Sequence, residues 1–133
     1  MYSLEARELD NLIECAFEIM ENAYAPYSEF RVGACVLTLS GKIFCGVNVE
    51  NASYGLTVCA ERVAVFKAVS EGERDLVAIA VVTESDTLAF PCGACRQVLY
   101  EFSPDMIVVV ANRKGKSRTF RLNELLPEGF RLE

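Results

Sequence analysis

Histidine is absent from the 133 residues, and so is tryptophan. Without imidazole, neither metal binding nor proton transfer can use the side chain that most often supplies both near neutral pH. Those tasks fall to thiols and carboxylates. Basic residues are outnumbered: thirteen Lys and Arg face nineteen Asp and Glu, for a net charge of −6. That balance argues against a nucleic-acid partner, which is met by a basic surface. The local exception is Arg113, Lys114, Lys116, Arg118 and Arg121. Asn112-Arg113-Lys114-Gly115-Lys116 has the composition of a turn between strands, so this cluster is expected to be a solvated basic turn. No apolar run approaches the ~20 residues needed to cross a bilayer. Met1-Tyr2-Ser3-Leu4-Glu5 has early acids and no basic stretch, so no secretory signal is visible and a cytoplasmic location is expected. The apolar fraction of 52% and charged fraction of 24% fit a globular chain, and the length fits one domain, 1–133.

Leu9, Leu12, Ile13, Ala16, Phe17 and Met20 recur at helical spacing and predict an amphipathic helix over 4–23, ended by Ala25-Pro26-Tyr27-Ser28. Val32 to Leu39 and Lys42 to Val47 predict a hairpin turning at Ser40-Gly41. Residues 48–58 are polar and glycine-bearing, hence a loop. Residues 60–71 predict a second helix, apolar nearly all round and so expected to be buried. Leu76 to Val82 and Met106 to Ala111 are continuous apolar runs suited to strands covered on both faces. Between them, Pro91 and Pro104 bracket a helix at 93–102. A fifth strand at 116–121 and a short helix at 122–126 complete the pattern. This order predicts an α/β protein with three α/β/α layers around a five-stranded mixed sheet.

Six cysteines raise the question of disulfides, which are rare in cytosolic proteins. Cys15, Cys35 and Cys45 lie in apolar stretches and are expected to act as small buried hydrophobes. Cys59, Cys92 and Cys95 are different. Cys59-Ala60-Glu61 is followed by Pro91-Cys92-Gly93-Ala94-Cys95, offering three thiolates and one free carboxylate. Three protein ligands suit a catalytic zinc, whose fourth tetrahedral position stays open, and no fourth ligand for a structural site is evident. Cys59 and Cys92 fall at the starts of expected helices, where the dipole and free N–H groups favour thiolate. Three thiolates and a divalent zinc leave a formal charge of −1, which Arg62 and the helix termini would offset, with Gln97 available to hydrogen-bond a sulfur. Water on such a metal ionises near ~7, and Glu61 is placed to take that proton and later return it. A lone Cys-x-x-Cys is weak evidence, since redox motifs and half-sites share it. The combination of the two segments is the zinc deaminase signature.

The chain as a whole resembles the small, homotetrameric cytidine deaminases. Four blocks carry the resemblance: Tyr24-Ala25-Pro26-Tyr27-Ser28 with Phe30-Arg31-Val32-Gly33-Ala34; Gly46 through Tyr54; Thr57-Val58-Cys59-Ala60-Glu61-Arg62; and Pro91-Cys92-Gly93-Ala94-Cys95-Arg96-Gln97-Val98. The resemblance implies a cytidine deaminase-like five-stranded α/β/α fold and one zinc per chain held by Cys59, Cys92 and Cys95. It implies that zinc-bound hydroxide attacks C4 of cytidine or 2′-deoxycytidine, with Glu61 shuttling protons and bonding N3 of the pyrimidine. It further implies that the Ala60 N–H meets the base carbonyl, that Phe30 packs on the base, and that Asn48 and Glu50 bind the ribose 3′-hydroxyl. Arg62 would temper the thiolate charge. Tyr54 and Phe130 would reach sites of neighbouring subunits in a homotetramer serving pyrimidine salvage. Phe90, before Pro91, is bulky for the family and leaves fine specificity open. Three other functions share part of the pattern. A blasticidin-S or other aminoheterocycle deaminase has the same zinc motifs. A nucleic-acid editing deaminase would need a basic groove that the acidic charge does not provide. A structural zinc or redox module would leave Glu61 without a task.

Overall fold

The structure, a computed structural model, describes residues 4–132. Met1, Tyr2, Ser3 and Glu133, the ends of the expected 1–133 domain, lie outside the described residues. The elements follow the expected order: α1 (Ala6–Met20), β1 (Val32–Thr38), β2 (Ile43–Val47), a short 3-10 turn (Tyr54–Leu56), α2 (Ala60–Ser70), β3 (Leu76–Thr83), α3 (Gly93–Phe102), β4 (Ile107–Asn112), β5 (Ser117–Arg121) and α4 (Leu122–Leu125). The five strands form one sheet in the order β2-β1-β3-β4-β5. Only β3 and β4 run parallel, joined through α3; the other pairs are antiparallel. Those two central strands are also the continuous apolar runs. Each is buried at every position after its first two, as expected for strands covered on both faces.

The amphipathic pattern of α1 seats Leu12, Ala16 and Met20, all fully buried, against Cys35, Ala80 and Val82 on one face of the sheet. The other face carries Ala60, Ala64 and Val65 of α2, Leu99 of α3 and Leu122 of α4, packed on Val36, Ile79 and Val108. The expected three layers are thus present. Removing one such fully buried leucine side chain costs about 2–5 kcal/mol. Two glycines set the layer spacing. A Cβ on Gly33 would lie 2.2 Å from the Ala16 carbonyl oxygen, and one on Gly46 would lie 2.6 Å from the Ala64 nitrogen and 2.8 Å from the Ala60 oxygen.

Three expectations need correction. Helix α2 is not buried all round: Phe66 is 48% exposed and points away from the sheet, because only one side of the helix meets β1 and β2. Cys35 and Cys45 are not two free hydrophobes but a disulfide. They face each other directly across the β1–β2 hairpin, with Cα atoms 4.1 Å apart. Directly opposed cross-strand side chains meet, a pairing that appears only once register is known. Cys15 packs among the same apolar residues as a partly buried small side chain, as expected. The basic turn is also more than solvated. Arg113 pairs with Glu21 at 2.8 Å and lies over the Phe17 ring at 5.1 Å, and Lys114 pairs with Asp86 at 3.3 Å.

Candidate metal centre

Two helix starts build the site. Cys59 is the N-cap residue of α2 and Cys92 that of α3, while Cys95 lies one turn into α3. Proline at 91 suits a helix entrance, where no N–H is needed. The three sulfur atoms lie within 4.8 Å of one another. Tetrahedral zinc with Zn–S bonds of about 2.3 Å requires sulfurs about 3.8 Å apart, so small side-chain rotations close the cluster on an ion. Cys95 is buried, Cys59 half-buried and Cys92 exposed. This gradient leaves one side of the cluster open.

The surrounding charges fit a cation held by thiolates. A hydrogen bond from the Cys95 thiol, with Arg62 beside it, pulls the Cys59 thiol down to about 5. The Cys95 thiol is pushed up, chiefly as the donor to Cys59 and secondarily by burial. The Arg62 guanidinium lies 3.6 Å from the Cys59 sulfur through Nη2, and its buried Nε has no hydrogen-bond partner among the described residues. A permanent cation with a spare buried donor beside three sulfurs offsets the negative charge they acquire on metal binding. Glu61 follows one residue after Ala60 and is 5% exposed. Burial pushes its carboxyl up to about 7; its own backbone N–H opposes this, and the neighbouring Cys59 thiolate adds to it. A carboxyl near neutrality can accept and return a proton with little bias, as a general acid–base group must.

A second group of expected residues forms a hydrogen-bonded strip leading to Cys59. Val49 exchanges backbone bonds with Val58, and residues 48–50 pair with Tyr24. The buried Asn48 amide donates to the Phe30 carbonyl at 2.8 Å and accepts from the Val32 N–H at 2.9 Å. Glu50 accepts from the Tyr27 and Ser28 N–H groups at 2.9 and 3.1 Å and from the Ser28 hydroxyl. The hydroxyl bond is the main cause of its lowered pKa. Between these anchors Glu29 takes φ 60°, a left-handed conformation that costs about 1–2 kcal/mol for a residue with a Cβ. Asn48 and Glu50 therefore fix the turn that presents Phe30, which is 39% exposed.

Gln97 is a correction: its amide donates to the Phe130 carbonyl at 3.0 Å rather than to a sulfur, and so holds the C-terminal segment. Tyr54 and Phe130 do not join the cluster within one chain, being 91% and 67% exposed. Sequence reasoning missed Ser28 and Arg96. Arg96 donates to the Pro91 carbonyl at 2.7 Å and to the Leu125 carbonyl at 2.9 Å, bracing the approach to Cys92. Its place beside Cys95 was the available signal.

Three cysteine sulfurs, a buried neutral-range carboxyl and one open side define a thiolate zinc site of the hydrolytic kind, with no fourth ligand in the described cluster. The profile of the cytidine and deoxycytidylate deaminase zinc-binding region matches residues 6–111, and the chain belongs to that family. Cytidine deaminase from Halalkalibacterium halodurans is 52% identical over 123 residues, covering 92% of this chain and 93% of the relative. The crystal structure of cytidine deaminase from Burkholderia pseudomallei superposes with a TM-score of 0.88 at 51% identity, over 91% of this chain and 98% of that one. Blasticidin-S deaminase from Bacillus cereus is 31% identical over 134 residues, covering 95% of this chain and 94% of the relative.

Proposed function

We propose that this protein is a zinc-dependent cytidine deaminase that converts cytidine and 2′-deoxycytidine to uridine and 2′-deoxyuridine with release of ammonia. The observation that carries the reading is the buried Glu61 carboxyl, poised near neutrality beside the three-cysteine cluster. Cys59, Cys92 and Cys95 hold one zinc, which when bound acidifies water and makes it a nucleophile at neutral pH. A Glu61 carboxylate oxygen takes a proton from the attacking water. It passes that proton to N3 of the pyrimidine as the water oxygen bonds C4, then takes the remaining proton from the C4 hydroxyl and delivers it to the exocyclic amine, so that the C4–N bond breaks, ammonia leaves and the C4 carbonyl forms. The Ala60 N–H at the start of α2 binds the base carbonyl, where the helix dipole favours the partial negative charge. Phe30 packs on the base, and Asn48 and Glu50 take the ribose 3′-hydroxyl, with Arg62 balancing the thiolates.

The 1–133 chain acts as one domain in a homotetramer, where Tyr54 and Phe130 of neighbouring subunits close each pocket. Their exposure in the isolated chain supports this arrangement. Pyrimidine salvage in the cytoplasm is the role that fits a nucleoside substrate. No helix among the described residues is long and apolar enough to cross a membrane.

The test is ultraviolet absorbance after mixing zinc-assayed protein with cytidine, and separately with blasticidin S. Loss of the cytidine band with stoichiometric ammonia, and no turnover of blasticidin S, is the expected outcome. Turnover of blasticidin S alone overturns the nucleoside reading.

A further inference from the structure

Cys92 is the most exposed of the three cysteines, and the segment just before it forms neither helix nor strand. Between Thr87 and Pro91 no backbone-to-backbone hydrogen bond forms among the described residues. Side chains hold this strap. Leu88 packs on the core, and Arg96 grips the Pro91 carbonyl. The third anchor is Phe90. Its ring meets Phe120 of β5 edge-on, with centroids 5.8 Å apart. The Arg118 guanidinium caps both rings, 4.7 Å from the Phe120 centroid and 5.9 Å from that of Phe90. Arg118 and Phe120 are two apart on β5 and share one face of the strand. Phe90 is separated from Cys92 only by the buried Pro91, whose fixed φ transmits a shift of residue 90 instead of absorbing it.

We propose that the Phe90–Arg118–Phe120 stack is a positioning device that keeps Cys92 in ligating geometry and thereby sets how long the chain retains its metal. The inference rests on the zinc reading above. Outer groups that orient a ligand change metal affinity by about 10–100-fold when lost. An unanchored Phe90 frees the strap's last three residues, and the exposed sulfur is the first to leave the ion.

The experiment times zinc release from the loaded protein to excess 4-(2-pyridylazo)resorcinol. Phe90→Ala is expected to release zinc at least about 10-fold faster than the wild type. Arg118→Gln should move in the same direction, and it tests the stack independently should Phe90→Ala fold poorly. Phe90→Tyr, which keeps the ring, should restore slow release. Phe17→Ala, which removes the ring under Arg113 on the opposite face of the sheet, should release zinc at the wild-type rate. In cobalt-substituted protein the sulfur-to-metal charge-transfer band should weaken in Phe90→Ala and not in Phe17→Ala. Wild-type release by both stack variants, or equal acceleration by Phe17→Ala, overturns the positioning role while the zinc reading stands. A wild-type chain that holds no zinc overturns the zinc reading itself.

Discussion

The carboxyl of Glu61 shows what burial makes of a residue that sequence alone marks only as a helix-start acid. At N2 of α2 a glutamate is favourable with the dipole and would ordinarily stay ionised. Here it is buried beside sulfurs, and the loss of hydration raises its pKa to about 7. The Glu61→Gln side chain keeps the size and loses the titration. That variant should retain one zinc per chain and its fold, while turnover falls by about 10²–10⁴, the usual worth of general acid–base help. Metal analysis beside a steady-state assay separates the two effects, and near-normal turnover would remove Glu61 from the mechanism. The three-cysteine cluster and the Glu61 beside it were legible in the sequence because their spacing brings two helix starts together. Ser28, Arg96 and the true partner of Gln97 were not, since each contact joins residues distant in sequence or in a turn of irregular backbone.

At the scale of elements, hydrophobic pattern placed α1 and the central strands, because α1 buries one face on the sheet and β3 and β4 are covered on both, while prolines bracketed α3. Positions that depend on register stayed hidden: the opposition of Cys35 and Cys45, and the outward face of α2. Gly46 links an element to the site. A Cβ there would meet Ala64 and Ala60 backbone atoms at 2.6 and 2.8 Å, and backbone cannot rotate aside as a side-chain tip can. Gly46→Ala should cost about 1–3 kcal/mol as an overpacked contact, and should displace the α2 start that carries Cys59 and Glu61. A lowered thermal midpoint together with reduced zinc content is expected; unchanged values for both would show that α2 is not seated on β2 as described. The turn held by Glu50 gives a pH prediction. Its pKa is lowered, so the clamp is complete above the ordinary carboxylate range near ~4.3 and is lost as pH falls below it. Amide exchange protection at Tyr27 and Ser28 should therefore persist down to about pH 4.3 and collapse only as pH falls below it, ahead of that in β3. Simultaneous loss in both places would mean that Glu50 carries no separate clamp.

For the whole molecule, an acidic chain that leaves large apolar side chains in water poses a physical problem that the proposed assembly would answer. Tyr54 is 91% exposed, Phe130 67%, Leu56 66% and Phe66 48%, an unusual number of large apolar side chains left in water. Tyr54 and Leu56 share the short turn just before Cys59, while Phe130 is tied by the Gln97 amide to α3, the helix that carries Cys95. Within one chain Cys92 is exposed, and a neighbouring subunit over it would exclude water from the chemistry at Glu61. Sedimentation should accordingly find a homotetramer, and dilution that dissociates it should abolish turnover while zinc stays bound. Tyr54→Ala and Phe130→Ala should each weaken assembly and raise KM together, since in the proposed tetramer each ring serves both. A fully active monomer would refute the shared pocket and return Tyr54 and Phe130 to the role of surface residues.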